Sequence, residues 1–280
     1  MTLAAEDTVY IRDVVERRTG NVIGPRQEYL MEARLKPVAN SVGLDDVHSL
    51  VEELKRRRDP HLCQTVVEAL AINETSFFRD RDPFDALQQH VLPELMHKRR
   101  MTRALSIWSA ACSSGQEPYS IALLIRTAFA ALNGWDIRVL ATDMCETMVA
   151  RTDMGIYSQF EVGRGLPATM LVANFERLGL NWQVLPYVRN LIEAQKRNLI
   201  ERWPASEKHD VIFLRNVLVY FDRPTKEKVL RRIHQVLRPD GYLFLGGGET
   251  MLQLNVPFQP VALGRAVCFR PVPTQESKLC

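Results

Sequence analysis

Two stretches, INETSFFRD at 72–80 and FLRNVLVYFD at 213–222, concentrate the groups that could do chemistry. In the second, the apolar run DVIFL (210–214) leads straight into Arg215 and Asn216, and Tyr220, Phe221 and Asp222 follow. A polar pair that closes a buried strand needs partners. The carboxyl edge of a strand in an open α/β sheet is also where ligands bind. The first stretch offers Asn73, Thr75 and Arg79, whose guanidinium can hold a carboxylate through two parallel N–H bonds. Between the two lie Glu117, in SAACSSGQEP at 109–118, and Asp143, just after the apolar run IRVLAT at 137–142. Together the stretches predict a cofactor cleft floored by one region and roofed by another.

The loop SAACSSGQEP holds one glycine. A dinucleotide pyrophosphate needs G-x-G-x-x-G for close backbone approach, and a P-loop needs G-K-[ST]; both patterns are missing. Phosphate cradling is therefore not expected. A nucleoside without phosphates needs an acid for its ribose hydroxyls at the end of the second strand, where Asp143 stands. S-adenosyl-L-methionine is such a ligand, and its cationic sulfonium and amino group suit Glu117 and Asp143. Each residue also fits a plainer role. Asn73 and Thr75 serve in turns, Arg79 in a surface ion pair and Asp143 as a helix cap. Glu117 favours a helix N-terminus, Asn198 fits a loop, Leu199 a core, and Tyr220 a buried aromatic. The six histidines never fall at metal-ligand spacing, so no metal is assigned.

The elements that would position these residues change character along the chain. Of 280 residues, 46% are hydrophobic and 25% charged, an ordinary globular composition with room for one or two domains. A net charge of +3 is too slight and too dispersed to suggest a nucleic-acid partner. No apolar run is long enough to span a bilayer and no signal peptide is evident. Five widely spaced cysteines suit a reducing, cytoplasmic setting. Residues 8–72 show helical periodicity: a helix opened by Pro25 and interrupted near its end by Pro37, then helices over 47–58 and 60–71. Another helix is expected from Asp82-Pro83 to about Lys98. Strands then alternate with helices: strands at 104–111, 137–142, 191–194 and 210–214, a turn at Pro239-Asp240-Gly241, and strands at 242–246 and 261–271. The expected fold is α/β, a doubly wound, mostly parallel sheet with a small β insertion at about 155–190, preceded by an all-α N-terminal domain. The expected limits are a helical domain at 1–92, a linker at 93–104, a cofactor domain at 105–275 and a tail at 276–280.

Six motifs occur in order: INETSFFRD, SAACSSGQEPYSIA, ATDMCETMVARTDMGIY, QKRNLIE, FLRNVLVYFD and LRPDGYLFLGGGE. In these the chain resembles the CheR family of chemotaxis receptor methyltransferases, S-adenosylmethionine-dependent protein-glutamate O-methyltransferases with a class I methyltransferase-like sheet. The resemblance implies cofactor contacts at Asn73, Thr75, Arg79, Glu117, Asp143, Asn198, Leu199, Arg215 and Asn216. Arg79 and Tyr220 are implied as catalytic residues. Arg79 holds either the cofactor's or the substrate's carboxylate, and Tyr220 stands near the transferred methyl. The implied product is S-adenosyl-L-homocysteine and the implied partner the cytoplasmic helical bundle of a chemoreceptor, met by a cytoplasmic monomer that does not enter the membrane. Arg26, Arg34 and Lys36 lie on the helix the family sets against receptors. Family members that dock on a receptor's C-terminal pentapeptide carry a longer β-subdomain than 175–200 provides here, so pentapeptide-independent methylation is expected. Alternatives are another carboxylate substrate on the same fold, or a non-catalytic cofactor-sensing adaptor. A glutamate, with an ordinary pKa of about 4.3, is already ionised at neutral pH and needs no general base.

Overall fold

The computed structural model describes residues 3–24, 28–203 and 208–272, with residues 28 and 29 described in their backbone alone. The chain divides into a helical unit, 1–73 with 220–226, and a sheet unit, 74–219 with 227–280.

Four helices form the helical unit: α1 Ala5–Thr19, α2 Glu28–Ser41, α3 Val47–Arg57 and α4 Pro60–Leu70. Local signals fix their ends. Gly20 closes α1 in the left-handed region at φ 76°. The Asp46 side chain accepts the Ser49 N–H at 2.7 Å to start α3, and Asp59 accepts the His61 N–H at 2.8 Å, with Pro60 next in line, to start α4. Ile11, Val15, Met31, Leu35, Leu50, Val51 and Val66 fill the core between them. α2 runs through Pro37 to Ser41 rather than breaking near it, because Val38 and Ala39 beyond the proline are buried. The buried Asp7 accepts from His48 Nδ1 at 2.6 Å and pairs with Lys55 Nζ at 3.3 Å, and Lys55 also pairs with Glu52 at 2.9 Å. Asp7, His48 and Glu52 lie close enough for a metal ion, but the Lys55 ammonium already supplies their positive charge. Residues 220–226 join this unit through a bridge between Asn21 and Phe221 and a 2.8 Å bond from the Val22 N–H to the Tyr220 carbonyl.

The sheet unit opens with α5 Asp82–Ala86, a π-helical turn at Leu87–Val91 and α6 Leu92–Lys98. The widened turn precedes Pro93, which has no N–H to continue the ladder. Phe84, Leu87, Val91, Leu92 and Leu95 are buried in the core of this unit. Residues 82–98 therefore belong to the sheet unit, and the break falls near 73 rather than at a linker over 93–104.

The strands are β1 Ala104–Ala110, β2 Asp136–Asp143, β3 Ile156–Ser158, β4 Phe175–Leu178, β5 Asn181–Val184, β6 Ile192–Lys196, β7 His209–Leu214, β8 Leu237–Leu245, β9 Phe258–Leu263 and β10 Ala266–Pro271. Seven of them form one sheet in the order β6-β2-β1-β7-β8-β10-β9. It is parallel from β6 through β8, and β10 and β9 close it antiparallel. Every residue of β7 is buried, as a strand covered on both faces must be. The stacked rings of Phe84, Phe213 and Phe244 fill one side. The connecting helices are α7 Gln116–Ala128, α8 Glu146–Met154, α9 Gln159–Val162, α10 Ala168–Asn174, α11 Pro186–Arg189 and α12 Arg223–Val236. The insertion is a three-stranded antiparallel sheet, β3-β5-β4. Two expectations change. The run 261–271 is not one strand but the β9–β10 hairpin, turned at Gly264, where φ is 60°. Pro239-Asp240-Gly241 is no free turn but lies within β8, where the pairing with β7 shifts register between His209 and Val211.

Candidate cofactor site

The predicted site residues of the sheet unit gather at the carboxyl ends of β1, β2, β6 and β7. After β1 the backbone passes through the left-handed region at Ala111 (φ 57°), Ser113 (φ 51°) and Gly115 (φ 95°) before α7 begins. Gly115 is required twice over. Its φ suits glycine, and a Cβ there would lie 2.8 Å from both Thr152 Oγ1 and Tyr157 OH. Asp143 stands at the end of β2, nearly buried. Its Oδ2 accepts the Ser113 N–H at 2.8 Å and its Oδ1 the Cys145 N–H at 2.9 Å. A carboxylate oxygen can accept more than one hydrogen bond, which is what a pair of ribose hydroxyls requires of an acid at this position. The Arg197 N–H donates to the Asp143 carbonyl at 2.9 Å, which places the turn at 197–199 beside Asp143. In that turn Asn198 Oδ1 accepts the Ile200 N–H at 3.2 Å and Leu199 is buried.

Arg215 is a hub. Its side chain is 1% exposed. Nη1 donates to Glu117 Oε2 at 2.9 Å, and Nη2 to the Arg79 carbonyl at 2.7 Å and Asp80 Oδ2 at 3.0 Å. Glu117 uses its other oxygen for the Ser109 hydroxyl at 2.8 Å. Burying a guanidinium is tolerated because both carboxylates and a carbonyl compensate it, and the Phe84 ring lies 5.5 Å from its Cζ. Its Nε is buried without a hydrogen-bond partner, so the group retains one donor for a ligand. Arg79 reaches this cluster through its backbone; its Nη1 donates to the Glu74 carbonyl at 2.8 Å and closes the 74–79 loop. Phe78 and Asp80 hold φ of 50° in that loop, with the Phe78 N–H fixed on Ser120 Oγ at 2.9 Å. Thr75 is half-buried. Asn73 and Tyr220 fall in the helical unit, each half-buried.

Some calls change. Arg34, half-buried, commits its Nη1 to the Leu70 and Ala71 carbonyls at 3.1 and 3.0 Å and caps α4. Lys36 is exposed on α2, and Arg26 lies outside the described residues. Asp80, Ser109, Ser113 and Glu249 hold the site together yet were not singled out, although all four sit in quoted motifs. Burial pushes the Cys112 thiol well above its ordinary range, with Asp143 and Glu117 adding to the effect, so it is no nucleophile. Burial, together with Arg197, Arg138 and Arg238, lowers His209 to about 4. That ring, on the first residue of β7 at the end away from Arg215, hydrogen-bonds Ser106 Oγ at 2.9 Å.

A parallel sheet with an acid closing its second strand and no phosphate-binding glycine loop defines a class I methyltransferase site. The sequence pattern of the CheR methyltransferase SAM-binding domain matches residues 73–267. A chemotaxis protein methyltransferase 1 of Pseudomonas aeruginosa is 37% identical over 96% of this chain and 99% of its own. Chemotaxis protein methyltransferase Cher2 of Pseudomonas putida is 35% identical over 94% and 97%, and a chemotaxis protein methyltransferase of Vibrio anguillarum 34% over 91% and 93%. The chain belongs to the CheR methyltransferase family and is an S-adenosylmethionine-dependent methyltransferase. The donor set fits that cofactor: a fixed acid at Asp143, the Arg215–Glu117 pair and the turn at 197–199. No helix among the described residues is long and apolar enough to cross a membrane.

Proposed function

We propose that the enzyme works in the cytoplasm as a monomer and methylates glutamate side chains on the helical cytoplasmic bundle of a chemoreceptor, without a pentapeptide tether. The names of the relatives, all methyltransferases of chemotaxis, point to such substrates. The observation that carries the reading is the Glu117–Arg215–Asp80 network. Its carboxylates are committed to a guanidinium, and a glutamate nucleophile needs no base.

The cofactor supplies a methyl group on a sulfonium. Asp143 holds the ribose hydroxyls, and Thr75, Asn73, Asn198, Leu199, Arg215 and Asn216 line the remainder of the cofactor. Arg79 fixes a carboxylate, the cofactor's or the substrate's, and the Tyr220 hydroxyl steers an oxygen or the methyl. Charge is lost as carboxylate and sulfonium become ester and thioether, so a dry site favours the reaction. Alignment is the main task, for which effective molarities correspond to roughly 7–11 kcal/mol.

The helical unit serves as the docking surface. Lys36 lines a shallow groove of about 540 Å³ on α2 with Glu32, Ala33, Pro37 and Asn40, and Arg26 precedes that helix in the sequence. The hairpin β4–β5 has strands of four residues each and turns at Gly179-Leu180, which supports pentapeptide independence. The test is transfer of labelled methyl from S-adenosylmethionine to receptor cytoplasmic domains with and without the C-terminal pentapeptide. Equal labelling of both, released as methanol by alkali, is expected. Labelling only of the tailed receptor ends the untethered reading, and base-stable label ends the glutamate reading.

A further inference from the structure

Leu214 and Leu245 form the last rung between β7 and β8. Beyond it both parallel strands run out at one edge. The next donors, the N–H groups of Asn216 and Gly246, then have no strand to receive them, and unpaired backbone donors are costly. A single side chain receives both. Glu249 Oε2 accepts the Asn216 N–H at 2.8 Å and the Gly246 N–H at 2.7 Å, and Oε1 accepts the Val219 N–H at 3.3 Å. The tight turn 246–249, closed by the Glu249 N–H on the Gly246 carbonyl at 2.9 Å, brings the carboxylate back to the strand ends. Asn216 itself holds φ 58°, a conformation that L residues rarely keep unaided. Of the three consecutive glycines before Glu249, space demands only the first. A Cβ on Gly246 would meet Asn216 Nδ2 at 2.7 Å and Asn216 N at 2.8 Å, whereas one on Gly247 or Gly248 meets nothing within 4 Å.

We propose that Glu249 is the positioning residue of the Arg215-Asn216 turn: it fixes the left-handed backbone of Asn216, and through it the cofactor, without touching the cofactor itself. This rests on reading Asn216 as a cofactor contact. Geometry specifies the side chain. It must carry one oxygen that takes the Asn216 and Gly246 N–H groups together, at the end of two methylenes. A glutamine keeps one oxygen for Asn216 and Gly246 and loses only the long bond to Val219. An aspartate keeps the charge but is one methylene short.

The experiment measures S-adenosylhomocysteine binding by calorimetry and steady-state kinetics on the full chain. Asn216→Ala, Glu249→Ala and Glu249→Asp should each weaken binding about tenfold or more, the scale of a charged hydrogen bond, with KM for S-adenosylmethionine rising more than kcat falls. Glu249→Gln should stay within about threefold of wild type, since its oxygen keeps two of the three amides. Gly246→Ala should resemble Glu249→Ala, and Gly247→Ala should bind as wild type. If Glu249→Ala fails to fold, the Gln and Asp variants decide. Wild-type binding by Glu249→Asp beside a weakened Asn216→Ala overturns the proposal and leaves the cofactor reading standing. Impaired Glu249→Gln beside intact Glu249→Asp shows that charge matters rather than placement, which also overturns it. Wild-type binding by Asn216→Ala removes Asn216 from the cofactor site, and the proposal with it.

Discussion

Arg215 in the sheet unit and Asp7 in the helical unit are both buried charges, but their partners differ in kind. The Arg215 side chain is 1% exposed, and two carboxylates answer its charge. Asp7 is 2% exposed and leans on an exposed His48 and on Lys55. A guanidinium keeps its proton throughout the accessible pH range, whereas histidine changes charge near neutrality. The cation at the cofactor edge is thus a permanent one, while the histidine between α1 and α3 responds to pH. A site that must present the same field to a cationic cofactor is built on the first kind, and a helix bundle can rest on the second.

The largest expected effect breaks the fixed network. Arg215→Ala leaves the largely covered Glu117 without its cation, at a cost of about 3–5 kcal/mol and a Tm lower by roughly 6–20 °C. Arg215→Lys should not restore it, since one ammonium cannot serve Glu117, Asp80 and the Arg79 carbonyl together. Thermal denaturation checks both, and a Tm within about 2 °C of wild type for Arg215→Ala would erase the contrast. Next comes Asp143→Ala, expected to weaken S-adenosylhomocysteine binding by about 1.5–3 kcal/mol while NAD gives no heat. Unchanged calorimetric affinity would take Asp143 out of the site.

In the helical unit the effects shrink. Arg34→Ala should cost about 1 kcal/mol of stability through the lost cap on α4. Lys36→Ala should leave Tm alone and raise KM for a receptor fragment. A reversal of these two outcomes would return Arg34 to docking. Smallest is the titration of His48. Its hydrogen bond to Asp7, then the Asp7 charge, raises its pKa above the ordinary value. A raised histidine stabilises the fold in full below its unfolded value of about 6.5, and the benefit fades as pH rises through the folded value. Denaturation midpoints of wild type and His48→Ala should therefore differ at about pH 6 and converge toward about pH 9. A gap of constant size would show that the histidine acts through packing alone.

Much of this was legible in the sequence where one residue type has one use. The helix expected over 60–71 is α4, whose start is set locally by the Asp59 cap and Pro60, and Arg215-Asn216 announced itself as a polar pair ending an apolar strand. Partners distant in sequence were not legible: nothing local ties Arg215 to Asp80 or Glu117, or Glu249 to the Asn216 N–H. The cap made by Arg34 was illegible for a similar reason. The charge of that side chain suggested docking, and the carbonyls it caps lie 36 and 37 residues later. The β9–β10 hairpin was read as one strand because Gly264-Arg265 is a two-residue turn between apolar runs, and one glycine in a strand also fits a bulge. Pro37 was overruled by the burial of Val38 and Ala39.

The small antiparallel sheet looks like an appendage, but its first strand reaches back into the loop after β1. Tyr157 OH donates to the Ser114 carbonyl at 2.9 Å and Thr152 Oγ1 to the Ser113 carbonyl at 3.1 Å. Both side chains would lie 2.8 Å from a Cβ on Gly115. The insertion is therefore no interchangeable module. Its hairpin tip at Gly179-Leu180 can be shortened, lengthened or exchanged with a relative's at little cost, whereas a graft that takes Tyr157 with it rebuilds the floor of the loop beside Asp143. Cut points for exchanging the hairpin therefore lie beyond β3, not before it.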